Sequence, residues 1–403
     1  MQRQIGSIFI VAGTAIGAGM LALPLVLGQF GLPLTILIMF GIWSIMYYVS
    51  LVVVELNLQE GHGLTLIQLG KRFSGPVAQS IALICLKVLT FSLLAAYIDG
   101  GASIIQKLLL TFTDTQYDIQ LIIIFFASVL ILLFLFTTRW IDYVNRLLFL
   151  ALIVSFCLLI IGLLTKIDLV KLPISPIELN FDAWRIALPV VFTSFGYQMV
   201  IHSLTTYCKN DKVQLKRVFL WGSLIPTFVY ILWTICVLGV LYVEDPIVFQ
   251  QILMGKAAIG DVILSLSHIS NATSIHLFST ITSLLAIFTS IIGVGLGLKD
   301  SWKIILIKKI KHPATHSFTS VLITFVPSLL VVLFVQNAFI KALSFGGMIS
   351  AILAVLLPLY LLRKAKAKNE HYHYPILQYK SLQFIALSVG VIVIICEILN
   401  LLQ

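Results

Sequence analysis

Of the 403 residues, 60% are hydrophobic and 10% charged, with a mean hydropathy of +1.08; this excludes an ordinary soluble domain and indicates a multi-spanning protein in a lipid bilayer. The net charge of +10 does not make a nucleic-acid surface, because the basic residues fall in short clusters between apolar runs, where they act as topology signals. Cys85, Cys157, Cys208, Cys236 and Cys396 lie in or at the edge of apolar segments without a CxxC pair, so neither disulfides nor a metal site is expected, and no cofactor.

A membrane span needs about 20 mostly apolar residues. Taken in order, the runs 5–28, 31–59, 75–109, 118–138, 144–166, 184–208, 214–241, 272–300, 315–335, 339–362 and 381–402 are the eleven that qualify. The first, behind Arg3, lacks a processing site and is read as a retained anchor. It contains Gly13-Thr14-Ala15-Ile16-Gly17-Ala18-Gly19-Met20. Each glycine costs a helix interior about 1 kcal/mol relative to alanine, and unwound backbone survives at membrane depth only where protein or a wet cavity satisfies it. The run therefore predicts a broken helix. If the outer half restarts near Ala18 to Met20, its free N–H groups suit a carboxylate, and the carbonyls ending the inner half near Thr14 to Ile16 suit an ammonium. A zwitterion is then held without a charged side chain, which favours an amino acid as ligand.

Nineteen of the 26 Lys and Arg residues fall on the segments that share a face with the N-terminus, which places that face in the cytoplasm. With an odd number of spans the C-terminus lies on the other side. The longest loop on that other side, 242–271, is half apolar and predicts a short helical hairpin.

The sixth span answers the first. In Pro189-Val190-Val191-Phe192-Thr193-Ser194-Phe195-Gly196-Tyr197 a helix-breaking proline precedes a polar, glycine-containing stretch by one turn. Paired interruptions at the heads of two five-span halves are the mark of an inverted repeat. Residues 1–166 and 167–362 are the two halves, and 363–403 adds a cytoplasmic linker and an eleventh helix.

Ionisable residues at membrane depth are candidates for coupling, here Glu55, Lys87, Asp99 and His202; Glu397, outside the repeat, reads as structural or outer-facing. Tyr97, on the same segment as Asp99, offers a hydroxyl to the cavity. Span 8 carries Thr289-Ser290, whose oxygens together with unwound span 1 carbonyls would suit a cation. Its following Gly293-Val294-Gly295-Leu296-Gly297 reads as a packing face. No HExxH or GxSxG motif points to an intramembrane enzyme.

The stretch from Gly6 to Pro24, Ala95-Ala96-Tyr97-Ile98, Asp142-Tyr143-Val144-Asn145-Arg146 and Phe192 to Tyr197 closely resemble the bacterial hydroxy/aromatic amino acid permeases of the APC superfamily, above all their tyrosine-specific branch, nearly end to end. The resemblance implies an all-α integral membrane protein with the LeuT-type 5+5 inverted repeat, broken helices 1 and 6 and eleven transmembrane helices. It implies symport of an aromatic amino acid with a proton, rather than sodium, across the bacterial inner membrane. It implies substrate contacts from Thr14, Ala15, Ile16, Gly17, Ala18, Gly19 and Met20 in span 1 and from Phe192, Thr193, Ser194, Phe195 and Gly196 in span 6. The substrate ring is expected against Phe192, Phe195 and Tyr97. Gln198-Met199 stands where members usually carry His-Gly.

Overall fold

The computed structural model describes residues 2–168, 172, 181–268, 273–306, 313–366 and 372–402. Lys171, Lys308, Lys309, Lys311, Lys368 and Asn271 lie outside them. The described residues form helices and connecting turns without a strand. Among the described residues nine helices are long and apolar enough to cross a membrane, and Ile119–Leu135 is a shorter apolar one. The protein is a multi-pass membrane protein.

The first apolar run is two helices, α1 (Gln2–Ala15) and α2 (Gly19–Leu27), separated by the unwound residues 16–18. Gly31, at φ 67°, turns the chain into α3 (Gly31–Glu60), which ends on Gly61 at φ 76°; left-handed backbone at a helix C-terminus favours glycine. The short α4 (Leu66–Ser74) starts at a capping box between Thr65 and Gln68 and ends on Lys71 and Arg72. Then follow α5 (Pro76–Thr113), with proline in its first turn, α6 (Ile119–Leu135) and α7 (Thr138–Leu164).

The sixth run is again two helices, α8 (Phe181–Ser194) and α9 (Ile201–Tyr207). Pro189 lies inside α8 and has no N–H for the carbonyl of Arg185. That carbonyl instead accepts from Asn400 Nδ2 at 3.0 Å, so the proline that weakens α8 also creates an attachment point for the last helix. The chain continues as α10 (Lys212–Glu244), and the loop predicted as a helical hairpin is α11 (Pro246–Leu253) and α12 (Ile259–His268). Next come α13 (Thr273–Leu306), α14 (Pro313–Phe334), α15 (Ala338–Ala351), α16 (Leu357–Lys366) and α17 (Lys380–Leu401). A π-helical turn, Ile352–Leu356, joins α15 to α16. Composition did not predict it.

The core is the packing of α1 on α10, α2 on α8, α15 on α5 and α8, and α13 on α5 and α7. Large apolar side chains of α6 and α7 such as Leu121, Phe125, Leu132, Leu147, Leu150 and Ile161 face outward, which is the lipid side of a membrane protein. Buried hydroxyls mostly bond back to their own helix, as Ser50, Thr205 and Thr324 do.

The two faces are tied together differently. On the basic face Arg3 lies 6.0 Å from the Tyr207 ring, and the Ser74 and Tyr360 hydroxyls meet at 2.8 Å. There Glu55, fully buried, accepts from the N–H groups of His373 at 3.1 Å and Tyr374 at 3.2 Å. The Tyr374 hydroxyl donates to the Lys212 carbonyl at 2.8 Å, and burial together with the Glu55 charge pushes its phenol up, so that it stays a donor. The 372–378 segment thus straps α3 to α10. On the opposite face α11 and α12 cover the bundle. Gln29 donates to the Leu253 carbonyl, Lys107 pairs with Asp261 at 2.7 Å, and Gly260 N–H reaches Ser103 Oγ at 3.2 Å.

Candidate functional site

Three glycines make the first break by letting neighbours in rather than by adopting a left-handed backbone, since none of the three has a positive φ. A Cβ on Gly17 would lie 2.5 Å from Ser290 Oγ, and one on Gly19 would lie 3.2 Å from the Ser194 Cα. The second contact brings backbone of one broken helix against backbone of the other, with the Ser194 Oγ at the same 3.2 Å. Ala18 N–H donates to Ser290 Oγ at 2.9 Å instead of to the Thr14 carbonyl, and Met20 N–H turns back to the Gly17 carbonyl at 3.1 Å. The N–H groups of Gly17 and Gly19 and the carbonyls of Thr14 and Ile16 have no partner among the described residues.

The second break, 195–197, is held by hydroxyls. Thr193 donates to the Leu343 carbonyl at 2.7 Å and Ser194 to the Gly19 carbonyl at 3.1 Å, and each also lies within reach of a carbonyl in its own preceding turn. Tyr230 of α10, fully buried, crosses both breaks. Its hydroxyl is 2.6 Å from the Ala15 carbonyl, the last of α1, and 2.7 Å from the Ser194 carbonyl, the last of α8.

A cavity of about 650 Å³ lies against both breaks, a volume in the range of small-molecule sites. Its wall contains Thr14, Ala15, Ile16, Gly17, Gly19, Tyr97, Thr193, Ser194 and Gly196, and it extends past Lys87 and His202 to residues 64–67, on the basic-face side. Free N–H groups at the start of α2 and free carbonyls at the end of α1 carry opposite partial charges on one wall, and that wall suits a zwitterion.

Four expected contacts are not on the wall. Ala18, Met20, Phe192 and Phe195 are fully buried and do not line the cavity. Phe195 instead packs edge-on against Tyr230, with centroids 5.2 Å apart. These four side chains lie in the packing behind the two breaks. Of the three aromatic residues expected beside a substrate ring, only Tyr97 lines the cavity, and Phe149 is the other aromatic side chain on its wall.

The coupling candidates divide. Lys87 and His202 line the cavity, as do Thr289 and Ser290. The Lys87 ammonium sits 3.2 Å from the Trp302 ring centroid and has no acidic partner among the described residues. Glu55 and Asp99 lie off the cavity, each accepting backbone N–H groups; Asp99 takes that of Phe339 at 2.8 Å, the first turn of α15. Ser290 donates to the Ala286 carbonyl at 2.7 Å and Thr289 to that of Leu285 at 2.8 Å, so both hydroxyls are engaged in their own helix. Glu397 is buried and bonded by Ser344 and Asn400, as a structural carboxylate should be. The packing face read into 293–297 holds only for Gly295, against Phe134 and Phe325; Gly293 and Gly297 line the cavity.

Sequence reasoning missed Tyr230 and Phe149, and it named Gln198, which also lines the cavity, only as a departure from the family pattern. Tyr230 sits in an apolar span where nothing in the local pattern marks it. Phe149 fills the space beside Gly13 and lies one turn beyond the Asp142 to Arg146 motif, a signal available in the sequence.

The model of the tryptophan/tyrosine permease family matches residues 1–397. The chain is 31% identical over 397 residues to the tyrosine-specific transport system 1 of Haemophilus influenzae, covering 98% of this chain and 96% of that protein. It is 28% identical over 402 residues to the tyrosine-specific transport system 2 of the same organism, covering 98% and 96%. It is 31% identical over 373 residues to a tryptophan-specific transport protein of Pseudomonas aeruginosa, covering 90% and 87%. With a family model matched along nearly its whole length, the chain belongs to the tryptophan/tyrosine permease family, a family of transporters and not of enzymes.

Proposed function

We propose that this protein is a secondary active transporter that imports an aromatic amino acid, tyrosine first, by proton symport with alternating access. The scaffold of this reading is the LeuT-type 5+5 repeat of eleven spans, with halves 1–166 and 167–362 and the linker and last helix in 363–403. The protein sits in a bacterial inner membrane with its N-terminus in the cytoplasm and its C-terminus in the periplasm. The observation that carries the reading is the meeting of two broken helices, Gly19 against Ser194, on the wall of one cavity. Thr14 to Gly17, Gly19, Thr193, Ser194 and Gly196 bind the amino and carboxylate groups, and Tyr97 and Phe149 flank the ring. The cavity's extension toward the basic face corresponds to a cytoplasm-facing state, closed on the other side by α11 and α12.

Proton coupling falls to Lys87 and His202, the ionisable candidates on the cavity wall. Sodium coupling is the second reading, favoured by Thr289 and Ser290 lining the cavity beside Thr14 and Ile16. Against it, the Ser290 oxygen already faces the Ala18 N–H, a donor that disfavours a cation on the same oxygen. The test is uptake of labelled tyrosine into proteoliposomes with a proton or a sodium gradient imposed alone. Accumulation is expected with the proton gradient only. Accumulation with sodium alone would reverse the assignment, and competition by tryptophan and phenylalanine ranks the substrates. Lys87→Met is expected to remove gradient-driven accumulation while leaving tyrosine counterflow within about three-fold, because it deletes a titrating group and not a break contact.

A further inference from the structure

Two helices end at the same point. The carbonyl of Ala15 closes α1 and that of Ser194 closes α8, and both oxygens lie within 2.7 Å of the Tyr230 hydroxyl. A phenol has one proton to donate, so at any moment one of these two carbonyls is short of a donor. Each also carries the negative end of a helix dipole, and in a buried setting two such oxygens repel unless positive charge lies beside them. Ala15 and Ser194 line the cavity, whereas Tyr230 is fully buried behind them. The phenol thus approaches the pair from the packed side, while the two residues that carry the carbonyls border the cavity.

We propose that Tyr230 is a positioning residue that holds the Ala15 and Ser194 carbonyls together at the spacing an α-ammonium group bridges. This rests on the reading of the breaks as the amino-acid site and adds the element that joins its two halves. With the cavity empty, the single proton is shared. When an ammonium enters, it donates to one carbonyl and the phenol settles on the other. Ser194 strengthens the same junction through its own bond to Gly19.

Tyr230→Phe keeps the ring and its contact with Phe195 and deletes only the hydroxyl. In counterflow from proteoliposomes, the half-saturating tyrosine concentration is expected to rise about ten-fold with the maximal rate within about three-fold, the signature of lost pre-organisation at one hydrogen-bonded acceptor pair. Competition by 3-(4-hydroxyphenyl)propionate, which lacks the ammonium, separates the two layers of the argument. If the wild type accepts that acid as well as it accepts tyrosine, the break reading fails and the proposal with it. If the wild type rejects the acid but Tyr230→Phe keeps the wild-type half-saturation, only the role of Tyr230 is overturned. Tyr230→4-aminophenylalanine, which restores N–H donors at the same place, is expected to return half-saturation to within about three-fold of wild type. It carries the test should Tyr230→Phe fail to fold, and a ten-fold rise in that variant overturns the proposal.

Discussion

The two breaks achieve the same interruption by opposite means. The first, around residues 16–18, works by subtraction: Gly17 and Gly19 carry no side chain where Ser290 and the Ser194 backbone press in. The second, around 195–197, works by addition: Thr193 and Ser194 hydroxyls tie the end of α8 to α15 and α2, and a Cβ on Gly196 would meet only the carbonyl of Thr193 in its own turn, at 3.0 Å. A backbone can therefore be held open at membrane depth either by letting other groups reach it or by giving it side chains that reach out. The two modes differ in what substitution does to them.

The largest effect is expected at Gly19. Gly19→Val pushes a branched side chain into backbone that cannot move aside, and transport should fall by at least about 100-fold, in line with overpacking costs of a few kcal/mol. Gly17→Ala comes next, with a loss of about ten-fold or more, but here the obstacle is a hydroxyl. Adding Ser290→Ala should recover part of the activity, whereas no single side-chain truncation should rescue Gly19→Val. Equal rescue at both positions would mean that the first break is defined by side chains after all. The smallest effect belongs to Gly196→Ala, within about three-fold, because φ there is not left-handed and nothing outside its own turn is met. A loss at Gly196 as large as at Gly17 would erase the contrast between the breaks. Initial uptake rates normalised to reconstituted protein measure all three.

Much of the break geometry was legible because its cause is local. Three glycines in seven positions, and a proline one turn before Thr193-Ser194, weaken a helix wherever they stand, and α1 ends at Ala15 and α2 begins at Gly19 within the expected limits. Which aromatic side chains face the cavity was not legible in the same way. Phe192 lies just before the break and Phe195 within it, but which way such a side chain points depends on what packs behind it, and for Phe195 that is Tyr230 from a helix beginning at Lys212. The ionisable residues show the same division. Lys87 reaches the cavity as charge at membrane depth suggested, while Glu55 is consumed by His373 and Tyr374, more than 300 residues away.

By itself the sequence determined a multi-pass helical membrane protein, the positions of its two interruptions, and the residue types too costly to bury without purpose. These follow from hydropathy and backbone propensity, which each segment carries alone. Only the tertiary structure decided that the two interruptions touch, that one phenol spans them, and which candidates face the cavity. Those are matters of distance between segments far apart in the chain, and unlike helix formation they are set by how whole helices pack against one another.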